Sequence, residues 1–303
     1  MNPFPLRNKA GLTEAEFLDR YNPDQYKNPS VTVDVLVFTV TSEAEQNERK
    51  VPGKELKLLM IKRADHPYIG HVAFPGGFVG EQESLDDAAR RELEEETKVA
   101  GLYLEQLYTW GDPKRDPRKR IISTSYVSLV DSSNLGVEAG DDASDARWYV
   151  VKTKEELAKR VEQDKGYVME SLQRVSLESD VDQVSALVKV TKSVQGRYVS
   201  VEREVIERDG IAFDHAAVIL YAIDHLKKKI EWTDVAFQLV PERFTLEELQ
   251  QVYELILGKE IGIADLRRKI APMVIETNQK KTDAAHRPAQ FFRFNPNWNA
   301  DEQ

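Results

Sequence analysis

The chain has 303 residues, 42 Lys and Arg against 52 Asp and Glu, and a formal net charge of −10. That length suits two domains, and the overall acidity argues against non-specific nucleic-acid binding unless the bases are clustered. There are no cysteines, which excludes disulfides, thiolate zinc sites and cysteine nucleophiles and fits a cytoplasmic protein. No run of about 18 apolar residues is present, and the N-terminus lacks an apolar leader core, so neither a membrane span nor a secretory signal is expected.

Thr13-Glu14-Ala15-Glu16 reads as a capping box that opens a short helix, and a polar linker follows to residue 29. Val31 to Val40 is a β-branched strand with a single charge at Asp34, and Leu56 to Arg63 is a second. Pro75-Gly76-Gly77 makes a tight turn that permits close backbone approach. Ser84 is suited to cap a helix from Leu85 to Thr97, with Asp86 and Asp87 in its first turn. Strands are expected at Leu102 to Trp110, Ile121 to Val130 and Ala146 to Val151, then a helix at Lys154 to Val161. Residues 161–230 read as an insertion, with strands at Val184 to Val190 and Arg197 to Val205. An amphipathic linking helix, Ala216 to Ile230, closes it. His215 at its start is taken as structural rather than as a ligand.

The helix after Gly77 carries the chemistry. Glu92, Glu95 and Glu96 fall at i, i+3 and i+4, so their carboxylates share one face. Alone they repel one another, and a hard divalent cation reverses that sign. Carboxylate oxygens suit Mg²⁺ (or Mn²⁺). Arg91 is placed to pair with Glu95 or to reach back to Glu83. A solvated acidic face is the plain alternative. The fixed spacing disfavours it, since such a coincidence arises in roughly 1 in 10,000 chains.

This spacing resembles the Nudix box, G-x5-E-x7-R-E-U-x-E-E-x-G-U with U a bulky aliphatic. Gly77, Glu83, Arg91, Glu92, Leu93, Glu95, Glu96 and Val99 stand at its specified positions, and Lys98 replaces its last glycine. Lys at a left-handed helix end costs about 1 kcal/mol, and Gly101 is an alternative end for a longer helix. Asp112-Pro113-Lys114-Arg115-Asp116-Pro117-Arg118 and Gly140-Asp141-Asp142-Ala143 look like segments of the ADP-ribose-type members. The resemblance implies a Nudix α/β/α sandwich over residues 30–160. It also implies hydrolysis of a nucleoside diphosphate linked to another group. Catalytic roles fall to Glu83, Arg91, Glu92, Glu95 and Glu96, with the last three glutamates as metal ligands. Arg63, Phe74, Gly76, Gly77, Asp116 and Arg118 then lie near the substrate.

Residues 231–303 form a separate unit. Thr245 and Glu248 make a capping box, Leu249, Val252, Tyr253 and Ile256 an apolar stripe, and Gly258 a stop. Asp265 is expected to cap a basic helix, Leu266-Arg267-Arg268-Lys269-Ile270, with Pro272 kinking it. Seven bases and three acids between 265 and 293 give this stretch a charge of +4. The order and the wing-like segment around Arg287-Pro288 resemble the winged helix-turn-helix of the Nudix-related transcriptional regulators, although His286 stands where that wing usually has Gly. Arg267, Arg268, Lys269, Lys280, Lys281 and Arg287 are then the DNA-contacting residues. Two readings follow. One is a homodimeric regulator that binds and also hydrolyses a nucleotide sugar such as ADP-ribose, and that binds a palindromic operator. The other is a plain hydrolase whose C-terminal unit serves only dimerisation or packing.

Overall fold

A computed structural model describes residues 6–42, 53–98, 102–134, 146–281 and 289–298. Thr13 caps α1 (Glu14–Arg20) with the expected reciprocal box. The chain then runs through β1 (Ser30–Ser42), β2 (Lys54–Lys62), β3 (Val72–Ala73), β4 (Gly76–Phe78), α2 (Leu85–Thr97), β5 (Tyr103–Trp110) and β6 (Ile121–Asp131). Four long strands follow: β7 (Ala146–Gln163), β8 (Gly166–Glu178), β9 (Gln183–Gln195) and β10 (Tyr198–Asp209). Then come α3 (His215–Lys229), β11 (Phe244–Thr245), α4 (Leu246–Leu257), α5 (Ile263–Ile270), β12 (Val274–Lys281) and β13 (Ala289–Phe294).

Among the described residues, one mixed sheet has the order β10-β9-β8-β7-β2-β1-β6-β5, with β3 on β2 and β4 on β1. Its centre is the parallel pairing of β1 with β6, from Ser30 opposite Ile121 to Val40 opposite Asp131. Both strands are buried on both faces, which is why they read as continuous β-branched and apolar runs. The period of two then assigns the two cores. Val33, Val35 and Val37 pack on Ala88, Ala89 and Leu93 of α2. Leu36, Phe38 and Val40 face the other way, into a core completed by α3 and α4. The molecule is therefore an α/β/α sandwich, and its second helical layer comes from the linking and C-terminal helices.

Three local expectations are corrected. Lys154 to Val161 is not a helix but part of β7, paired with β8 apart from a bulge at Glu156. Its composition favours a helix in isolation. Pairing with β8 overrides that preference. The segment 161–209 accordingly extends the central sheet rather than forming a separate insertion, and the boundary at 160 falls inside a strand. Asp265 does not cap α5. Gly262 does, and Pro272 lies beyond the helix in a 3₁₀ turn, where it kinks nothing.

Ser84 caps α2 by accepting from the Asp87 amide at 3.1 Å, as its sequence implies. The helix ends at Thr97, and Lys98 itself adopts the left-handed conformation, φ 58°. Gly101, the alternative end, lies outside the described residues. Lys98→Gly should remove about 1 kcal/mol of backbone strain. The expected result is a rise in Tm of about 2 °C, read by calorimetry.

Candidate functional site

The site begins where β4 pairs with β1, Gly76 opposite Asp34 and Gly77 opposite Val33. A Cβ on Gly76 would stand 2.3 Å from the Val33 carbonyl oxygen, and one on Gly77 would stand 2.3 Å from Glu92 Oε1. The two glycines therefore let the start of the box lie directly against the carboxylate face of α2.

Arg91 organises that face. Its Nε donates to Glu83 Oε1 at 2.8 Å and its Nη1 to Glu92 Oε1 at 2.7 Å, with Glu95 Oε2 at 3.7 Å. Glu83 also accepts from the Gly80 amide at 3.1 Å. The guanidinium, and then this amide, hold the Glu83 carboxyl below the usual carboxylate range. Glu96 shows the opposite effect: burial, then the neighbouring Glu92 and Glu95 charges, raise it. Mutual repulsion among three carboxylates is what a divalent cation relieves, so the donor chemistry fits Mg²⁺. The side chains are not gathered into a cage, however. Among the described residues no three acidic or imidazole groups cluster closely enough to hold a metal, and Arg91 supplies the compensating charge at Glu92.

Beside this face lies a pocket lined by all six residues expected near the substrate: Arg63, Phe74, Gly76, Gly77, Asp116 and Arg118. Arg118 pairs with Asp116, Nη2 to Oδ2 at 2.7 Å and Nε to Oδ1 at 3.0 Å. Burial opposes the Asp116 charge, but Arg118 outweighs it and keeps the carboxyl low. Among the further wall residues that sequence reasoning missed are Asp34, Arg115, Phe213 and His215. Asp34 was visible as the lone charge in an apolar strand, and Arg115 lay within the quoted Asp-Pro stretch. Nothing local marked Phe213 or His215 as neighbours of a turn some 140 positions earlier.

Arg115 is nearly sequestered, its side chain 6% exposed. It grips Asp214 with two hydrogen bonds of 3.0 Å and lies 3.6 Å from Asp34 Oδ2. Burial works against this guanidinium, yet Asp214 and Asp34 outweigh burial and raise it. Asp34 accepts from the Ser123 hydroxyl, and burial pushes its carboxyl upward despite Arg115. His215 stacks on Phe74 at 4.2 Å and accepts from the Phe74 amide through Nδ1 at 3.2 Å. Its role here is to hold the pocket wall, as a neutral ring.

The segment Gly140-Asp141-Asp142-Ala143 and Arg287 lie outside the described residues. In the C-terminal unit, Thr245 and Glu248 form the expected capping box and Gly258 ends α4 at φ 68°. β11, β13 and β12 make a small sheet beside α4 and α5. Leu266 and Ile270 of α5 point inward, while Arg267 and Arg268 are exposed. Lys280 is exposed on β12, and Lys281 pairs with Glu248 at 3.0 Å. Lys269 differs from the expectation. Its Nζ donates to the Ile230 carbonyl at 3.1 Å and sits 4.8 Å over the Tyr253 ring, so it ties α5 to the end of α3.

Burial lowers the His215 pKa to about 3, from an ordinary value near 6.5. The unfolded chain therefore binds a proton that the folded one refuses. Stability from this group is full above about pH 6.5 and is lost as pH falls toward 3. His215→Gln, whose amide oxygen can still accept from Phe74, should flatten that part of the stability–pH curve in urea titrations between pH 7 and 4. An unchanged slope would show that His215 is not its source.

Residues 32–172 match the NUDIX domain family, and residues 236–294 match the NrtR DNA-binding winged helix domain. The ADPR responsive transcriptional repressor NtrR of Acinetobacter baylyi is 28% identical over 286 residues, covering 93% of this chain and 88% of its own. The ADP-ribose pyrophosphatase of Methanocaldococcus jannaschii is 31% identical over 158 residues, 52% of this chain and 82% of its own. Shewanella oneidensis NrtR, solved in complex with a 27mer DNA, aligns with a TM-score of 0.59 at 26% identity, covering 88% of this chain and 94% of that one. The first match runs from β1 into β8, and the second spans α4, α5 and the small C-terminal sheet. The chain belongs to the Nudix family and joins its Nudix domain to a C-terminal NrtR-type winged helix domain.

Proposed function

We propose that this protein is an ADP-ribose-responsive transcriptional regulator that also hydrolyses its ligand. The observation that carries this reading is the course of α3. The residue before it, Asp214, is gripped by pocket residue Arg115. The residue after it, Ile230, is held by Lys269 of α5. A helix of 15 residues thus joins the ligand pocket to the basic helix, so a ligand that shifts one end is felt at the other. The relatives named above, a repressor responsive to ADPR and an ADP-ribose pyrophosphatase, support the same ligand class.

Within the pocket, Arg63 and Arg118 face the diphosphate, Gly76 and Gly77 let it approach the backbone, and Phe74 and Asp116 complete the walls. Glu92, Glu95 and Glu96 would hold Mg²⁺ once their side chains turn toward it, with Arg91 and Glu83 fixing the direction of the face. The chemistry such a metal would supply is neutralisation of the diphosphate and activation of a water. A homodimer presents two winged helices to a palindromic operator through Arg267, Arg268, Lys280 and Arg287. The cytoplasm is the compartment that suits this role.

Two double substitutions test the halves separately. Glu95→Gln with Glu96→Gln should lower metal-dependent AMP release from ADP-ribose by about 100-fold or more, while the thermal transition is retained. Undiminished turnover would remove the metal assignment. Arg267→Ala with Arg268→Ala should weaken operator binding and reduce the slope of log K against log salt by roughly 2, since each phosphate contact contributes about 0.9. Equal affinity and slope in fluorescence anisotropy would remove α5 from the DNA interface.

A further inference from the structure

Asp116 and Asp65 favour the charge of Arg63 through space, but neither pairs with it. Arg118 is neutralised by Asp116 and Arg115 by Asp214, but Arg63 makes no ion pair among the described residues. Its Nε donates to the Pro67 carbonyl at 2.7 Å, and its guanidinium is half-buried. Burial, and then the proximity of Arg118, lower its pKa. Two guanidiniums brought to one cleft repel each other unless an anion lies between them or a π-face sits beneath them.

Arg118 lies 5.8 Å from the centroid of the Phe78 ring, inside the matched Nudix region, but the π-face that both guanidiniums share comes from outside that region. The Phe213 ring has Arg63 Cζ 5.0 Å and Arg118 Cζ 5.9 Å from its centroid. Phe213 follows β10, well past residue 172 where the Nudix match ends. Its backbone holds φ 53°, a left-handed value that a bulky side chain adopts only when the surroundings impose it. Those surroundings are visible: Arg208 Nε donates to its carbonyl at 3.0 Å, and Tyr68 packs edge-on at 4.8 Å. The ring is only 8% exposed, so it offers no open face on which a ligand's base could stack. Besides Tyr68 and His215, it contacts the two arginines.

We infer that Phe213 is a positioning residue for an anionic ligand: its ring holds Arg63 and Arg118 as a two-guanidinium clamp, and the clamp grips a diphosphate. This rests on the reading of the pocket as a nucleoside-diphosphate site, and deepens it by making the linking segment part of that site. The pocket is incomplete without a residue that belongs to the path toward α3.

The test uses the full chain and two probes, inorganic pyrophosphate and ADP-ribose, titrated by calorimetry. Phe213→Leu keeps the bulk and removes the π-face. It should bind both probes about tenfold more weakly, the scale of a desolvated cation–π contact. Phe213→Tyr, which restores the face, should stay within about twofold of wild type. A residue that merely fills space would not discriminate Leu from Tyr in this way. If Phe213→Leu fails to fold, Phe213→Gly accepts the left-handed backbone without strain and should show the same tenfold loss. Wild-type affinity for pyrophosphate in the Leu variant, an equal loss in the Tyr variant, or no pyrophosphate binding by wild type would each overturn the clamp. Ring-dependent binding of pyrophosphate without any binding of ADP-ribose would leave the clamp standing and remove the nucleotide-sugar reading. ADP-ribose binding that ignores the ring would do the reverse.

Discussion

The buried guanidinium of Arg115 is the interaction on which the arrangement turns. It is placed between Asp34, in the central strand, and Asp214, at the threshold of the linking helix. A charge this deep is tolerated only when paired, and removing one partner of such a pair typically costs about 3–5 kcal/mol. Asp214 is therefore not free to drift from the sheet. The helix that follows is fixed at its start by electrostatics and along its length by Ala216, Val218, Ile219 and Leu220 in the shared core. Everything C-terminal of it inherits that placement.

The sheet supplies the second constraint. Because β1 and β6 bury both faces, helices must cover both sides. One cover is α2, which brings its glutamates to the glycine turn. The other is α3 with α4, so the layer that completes the core also carries the C-terminal unit. Core formation and domain attachment are the same event here, which explains why one continuous cluster runs from Leu36 through Tyr253 to Phe292.

What could be read from the chain divides along sequence distance. Features closed within a few residues were legible: the Thr13 and Thr245 capping boxes, Ser84 before α2, Gly258 after α4, and the spacing of Glu92, Glu95 and Glu96. The six residues expected near a substrate do line one pocket, because most of them flank the turn and loop that the motif fixes. Features settled by pairing with distant chain were not legible. Residues 154–161 carry helix-favouring composition and are nonetheless a strand, since β8 pairs with all of them except Glu156, which forms a bulge. Lys269 counts as one more base in a basic run, yet the Ile230 carbonyl and the Tyr253 ring turn it inward. Phe213 and His215 acquire meaning only beside Arg63 and Phe74, and no local pattern announces that.

That same distance has a consequence for how the molecule is made. The Phe74 amide finds its acceptor on His215, 141 residues later, and Arg115 meets Asp34 and Asp214 only when three remote segments have converged. Loop closure of this kind is slow and comes late. On a ribosome, the glycine turn and the acidic helix are synthesised long before the residues that complete the pocket. The nascent sandwich must wait, one face still apolar and open, until α3 and α4 emerge to cover it. During that interval the exposed half of the sheet is a surface that a chaperone would recognise.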